Sequence, residues 1–136
     1  MPAPILAYLA SAVAFFALDF AWLSLAVPRL YRPLLGPLLR DTPNFPVAAA
    51  FYLVYVVGLV VFAVLPAASA GSWLVALGLG ALLGLVAYGT YDFTNLSTVR
   101  DWPLLVSLVD LAWGISVSAI AALAGYAALS WWPPTA

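Results

Sequence analysis

The sequence predicts an all-α fold, a polytopic membrane protein built as a bundle of four transmembrane helices. Three observations predict it. Of 136 residues, 67% are hydrophobic and only 7% charged, and the mean hydropathy is +1.14. A soluble domain covers its surface with about a quarter charged residues, so this surface must face lipid. Apolar runs long enough to cross a ~30 Å hydrocarbon core occur four times. The alternating segments of about ten residues that a membrane β-barrel needs are missing. Backbone in lipid must bond to itself, so the runs are helices.

The first helix is expected over about residues 4–27. It is not a cleavable signal peptide: it has no basic leading segment, it is too long, and it carries Asp19. The second covers about 47–65 and stops at Pro66; the third covers about 73–94 and the fourth about 103–129. Residues 28–46 form the only long connection, with Pro28, Pro33, Pro37, Pro43 and Pro46. Its centre reads either as an ordered proline-rich loop or as a short amphipathic piece on the inner leaflet, with Arg32 and Arg40 at the head groups. Together the four helices make one transmembrane domain.

Charge gives the orientation. Arg29, Arg32 and Arg40 fall between helices one and two, and Arg100 falls between helices three and four. The positive-inside rule places that side, with the 28–46 loop, in the cytoplasm and both termini outside. Trp73, Trp102, Trp131 and Trp132 stand at helix ends, where they read as interface anchors.

Composition excludes much chemistry. The chain has no Cys and no His, hence no thiolate or imidazole metal site and no His-based triad. It also lacks Lys, so a Schiff base and a Walker-type phosphate loop are excluded. Four Arg make no basic patch for nucleic acid. No metal and no cofactor are expected.

Three of the five acidic residues lie inside helices: Asp19, Asp92 and Asp110. A carboxylate at mid-bilayer costs roughly 2.5–3.5 kcal/mol on insertion scales, so each needs a use or a partner. At 1.5 Å per residue, Asp19 lies ~12 Å, Asp110 ~10 Å and Asp92 ~5 Å above the cytoplasmic helix ends. Tyr55 and Tyr88 lie about 10–12 Å deep, with Tyr52 shallower. Polar groups of all four helices thus share one layer of the cytoplasmic half.

Helical spacing turns them inward. Phe15, Asp19, Trp22 and Ala26 share a face of helix one. Ala76, Gly80, Gly84, Tyr88, Asp92 and Asn95 form a stripe on helix three, whose Gly80 and Gly84 make a GxxxG packing surface, within the chain or between copies. Ser107, Asp110, Gly114 and Ser118 share a face of helix four, with Trp113 beside it. The candidate ligand- or proton-binding residues are therefore Asp19, Trp22, Tyr55, Tyr88, Asp92, Asn95, Asp110 and Trp113. Asp19, Asp110 and Tyr88 are expected to share hydrogen bonds directly or through one water. Asp92, near the surface, is expected to pair with Arg29, Arg32 or Arg100. Against this stands a purely structural reading, in which the Asp side chains only bond Tyr, Trp or Asn across helices.

Residues Leu18-Asp19-x-x-Trp22-Leu23, Asn44-x-x-x-Ala48, Phe51-Tyr52-x-x-Tyr55, Tyr88-Gly89-Thr90-Tyr91-Asp92-x-Thr94-Asn95, Trp102-Pro103 and Asp110-x-x-Trp113-Gly114 carry a resemblance. The chain resembles, over nearly its whole length, a family of predicted bacterial membrane proteins known only as a domain of unknown function. That resemblance implies four membrane helices, a bacterial inner membrane and no established activity. Separately, Asp19-Phe20-Ala21-Trp22 and Asp110-Leu111-Ala112-Trp113 share D-x-A-W on helices of opposite direction. The match is either coincidence or the trace of an inverted repeat.

Three function classes remain. The first is a small transporter or proton- or ion-linked ligand-binding protein, since carboxylates in a bundle open to one side can bind a cation or exchange protons. Four helices are few for a full pathway, so a homodimer is expected there. The second is an accessory subunit of a larger membrane complex. The third is a membrane enzyme acting on a lipid or isoprenoid, with Asp and Tyr as acid and base; no nucleophile with an adjacent base supports it. The lipid bilayer is the partner common to all three.

Overall fold

The computed structural model describes residues 1–132, among which it places four long helices and no strand. They are α1 (Ala3–Leu38), α2 (Phe45–Ala70), α3 (Trp73–Thr98) and α4 (Leu104–Trp131), each long and apolar enough to cross a membrane.

The helices run further than the apolar runs imply, and proline explains two of the differences. Proline removes an N–H and crowds the carbonyl four residues before it, so Pro28 and Pro66 read as helix ends. Instead the backbone widens into a π turn at both places. The turn Val27–Tyr31 contains Pro28 and also Arg29, the residue four before Pro33. The turn Val60–Val64 contains Phe62, four before Pro66. A π turn relieves the clash and lets the helix continue, as membrane helices tolerate when neighbours support them. The end of α3 runs on to Thr98, where the Ser97 and Thr98 hydroxyls both donate to the Thr94 carbonyl.

At 36 residues α1 would measure ~54 Å if straight, more than the hydrocarbon core is thick. Ala3–Ala26 alone suffices to span. The rest, Val27–Leu38, folds against the start of α4: Tyr31 and Leu35 are buried with Ala26 and Val106, while Leu34 and Leu38 are exposed. Much of the segment assigned to a 28–46 loop is thus a helical extension with one buried and one exposed face. Only residues 39–44 are non-helical, and the Asn44 side chain then caps α2 by accepting from the Val47 N–H at 3.3 Å.

Small residues set the helix contacts. A Cβ on Gly84 would run into the Gly114 carbonyl, and one on Gly80 would lie 2.8 Å from the Ala122 Cβ. The GxxxG stripe therefore seats α3 directly on α4 within the chain. On the other side of α4, the Ser11 hydroxyl of α1 donates to the Ala121 carbonyl at 2.9 Å. Phe15, Val56, Leu59, Val64 and Val117 fill the centre with no exposed surface. The outward faces, such as Phe20, Val54, Phe62 and Val86, are apolar and exposed, as lipid contact requires.

Candidate functional site

The polar groups gather at the arginine-bearing end of the bundle, held by two cross-helix arrangements. Asp19 of α1 is only 4% exposed and accepts a hydrogen bond from the Trp113 indole N–H at 3.1 Å. The Tyr52 hydroxyl of α2 also faces it. Trp113 in turn stacks on Trp22, with ring centres 4.8 Å apart and planes 8° from parallel. Asp110 of α4 accepts from the Tyr31 hydroxyl at 2.8 Å, and Tyr31 accepts from the Trp22 indole N–H at 3.3 Å. The two D-x-A-W segments thus cross-pair on antiparallel helices. Each Trp serves the other segment's Asp, once directly and once through Tyr31.

Two further groups complete the layer. The Tyr55 and Ser118 hydroxyls share a hydrogen bond at 2.7 Å, and Tyr88 meets Tyr55 edge to face with ring centres 6.2 Å apart. Near the helix ends, Ser107 donates to the main-chain carbonyl of Asp92 at 2.8 Å and accepts from the Trp102 indole at 3.0 Å.

Among these groups lies a cavity of about 770 Å³, within the size range of small-molecule sites. Its depth is aromatic: Phe15, Tyr52, Tyr55 and Tyr88. Asp110 and Tyr31 stand in the wall, and Arg32 and Arg40, both exposed, stand at the mouth. Val47 and Phe51 of α2 line it as well and are 65% and 64% exposed. The cavity is thus open where the α1 extension meets the start of α2.

Of the eight sequence-derived residues, Tyr55, Tyr88 and Asp110 line this cavity. Asp19, Trp22 and Trp113 sit behind it in the hydrogen-bonded pair just described. Asn95 is half-buried near Tyr91, at the end of the α3 stripe.

One expectation is corrected. Asp92 does not pair with an arginine. It is fully buried between α3 and α4, and its carboxyl faces that of Asp110 within hydrogen-bonding reach, with no other partner for either oxygen. The depth count missed this because depth along a helix says nothing about which neighbour covers the residue. Asp19, Asp110 and Tyr88 do not bond to one another directly: Asp19 takes Trp113 and Asp110 takes Tyr31. Sequence reasoning left out Tyr31, which it placed in a loop. The signal available was the spacing of Tyr31 and Leu35, an apolar i, i+4 pair.

Comparison with known proteins adds one match. Residues 4–127 fit the family model described as predicted membrane protein (DUF2177). The chain belongs to that family. As a DUF2177 member it is a membrane protein, in agreement with its four spanning helices. No curated protein and no solved structure matches it.

Proposed function

We propose that this DUF2177 protein is a small transporter or ion-linked ligand-binding protein whose ligand is an anionic, single-chain amphiphile taken sideways from the bilayer. The observation that carries the reading is the cavity. Its walls are apolar and aromatic enough for an alkyl chain, it is open beside the exposed Phe51, which in a bilayer would meet lipid, and Arg32 and Arg40 at its mouth suit an anionic head group. Linkage to a proton or cation belongs to the same reading, because Asp110 is both cavity wall and the partner of Asp92. A transporting form would pair two copies, since four helices are few for a complete pathway.

Thermal unfolding in detergent tests the ligand. Lysophosphatidate should raise the midpoint, and monoacylglycerol of the same chain should raise it less. Arg32→Gln with Arg40→Gln should weaken lysophosphatidate at least tenfold and leave monoacylglycerol unchanged. Ala87→Trp, which fills the cavity, should abolish both responses. Equal responses to the two amphiphiles in the unmodified protein, or no effect of Ala87→Trp, would remove the reading.

In the same proposal the arginine-bearing end faces the cytoplasm of a bacterial inner membrane. The chain has no Cys, so single introduced cysteines report cleanly. Ser72→Cys and Ser130→Cys should react with an impermeant maleimide from outside intact cells, and Ser97→Cys only after lysis. Labelling of Ser97→Cys in intact cells would reverse the orientation.

A further inference from the structure

Asp92 is fully buried, and the side chain within hydrogen-bonding reach of its carboxyl is another carboxyl, that of Asp110. Asp19 shows how this fold satisfies a buried acid elsewhere, with a neutral donor, the Trp113 indole N–H. Asp92 has no such donor, because the Ser107 hydroxyl on the adjacent turn of α4 is spent on the Asp92 main-chain carbonyl. An uncompensated buried charge is among the most costly things a fold can hold. The titratable groups that face the pair are Asp19 and Tyr31 from α1, Tyr52 from α2, and Tyr88 and Tyr91 from α3. None of them is cationic, and all four arginines are exposed.

We propose that Asp92 and Asp110 share one proton, which makes the pair a proton-binding site in the wall of the cavity. Two ionised carboxylates are acceptors only and repel each other. Face to face, buried and without a cation, they cannot bond, whereas one carboxyl and one carboxylate make a charge-assisted O–H···O bond. Tyr31 decides how the charge divides. Its hydroxyl already donates to Asp110 at 2.8 Å, so the negative charge rests on Asp110 and the proton on Asp92. Occupancy reaches the cavity through the same two residues, because Asp110 and Tyr31 line it. Withdrawing the proton puts a second negative charge behind that wall, so a held proton and an anionic occupant favour each other. The inference rests on the ion-linked half of the proposed function, to which it assigns the proton, and not on the amphiphile.

The test is thermal unfolding of the whole protein in detergent, without amphiphile, from mildly acidic to neutral pH at constant ionic strength. The folded protein holds a proton that the unfolded chain, whose Asp side chains titrate near about 3.9, has already lost. Stability must therefore fall as pH rises. Asp92→Asn replaces the shared proton by an amide N–H that donates to Asp110 at any pH. The unmodified midpoint should thus fall by about 4–6 °C per pH unit more than that of Asp92→Asn. Asp101→Asn, on the exposed loop before α4, should keep the unmodified slope. Equal slopes for the unmodified protein and Asp92→Asn would overturn the proposal. Infrared spectroscopy decides independently if Asp92→Asn does not fold. The chain carries five Asp and no Glu, and Asp41 and Asp101 are exposed. In Asp19→Asn at neutral pH, a protonated-carboxyl C=O band can then come only from the pair and should be present; its absence overturns the site. Amphiphile binding that fails while the band and the slope persist removes only the cavity reading, and the converse removes only the proton site.

Discussion

Gly114→Ala should lower the stability of the bundle by about 2–3 kcal/mol, seen as an apparent unfolding midpoint roughly 8 °C lower in detergent. A Cβ at Gly114 runs into the Tyr88 ring, while the Gly114 carbonyl itself abuts Gly84. The ring cannot simply step aside, because Tyr55 stands against it with its centre 6.2 Å away. Overpacking must therefore separate α3 from α4 along the seam that the Gly80–Gly84 stripe closes. Gly78→Ala is the control. A Cβ there meets nothing within 4 Å, so the change should be neutral or slightly stabilising through helix propensity. Combining Gly114→Ala with Tyr88→Leu should recover part of the loss, a coupling expected only for residues in contact. Equal midpoints for the Gly114 and Gly78 variants would show that the two helices do not approach this closely.

This seam was legible in the sequence, and the reason is physical. Membrane helices associate through small residues, so a stripe of Ala76, Gly80 and Gly84 announces a contact whatever its partner. The inward turn of Asp19, Asp92 and Asp110 was legible for a similar reason, since lipid does not accept a carboxylate. What the spacing could not supply was the partner of each acid. Asp19 has several aromatic donors within a turn or two of its depth, and the tertiary crossing of α1 over α4 selects Trp113. Tyr31 reaches Asp110 only because the π turn at Val27–Tyr31 carries the helix past two prolines. Proline rules calibrated in water end a helix there; packing against Val106 keeps it going. The cavity itself follows from that extension, since Tyr31, Arg32 and Leu35 form one of its walls.

Trp113→Ala should be the most damaging single side-chain truncation at the polar layer, costing about 3–5 kcal/mol for the lost ring alone. The ring stacks on Trp22 at 4.8 Å, and its N–H is the donor that satisfies Asp19, which is 4% exposed. Trp113→Phe divides these contributions. It keeps a ring to stack on Trp22 but leaves Asp19 without the indole donor, and so should cost about 1–3 kcal/mol. The order of unfolding midpoints in detergent should then be unmodified, Trp113→Phe, Trp113→Ala. Asp19→Asn supplies the cycle that isolates the hydrogen bond. In that background no charge is left without its donor, so Trp113→Phe should cost measurably less than it does alone, whereas Trp113→Ala should keep most of its penalty. If Trp113→Phe costs the same with and without Asp19→Asn, the indole does not serve the carboxylate. The crossed pairing of the two D-x-A-W segments would then be stacking only, and the polar layer would lose the contact that fixes α1 against α4.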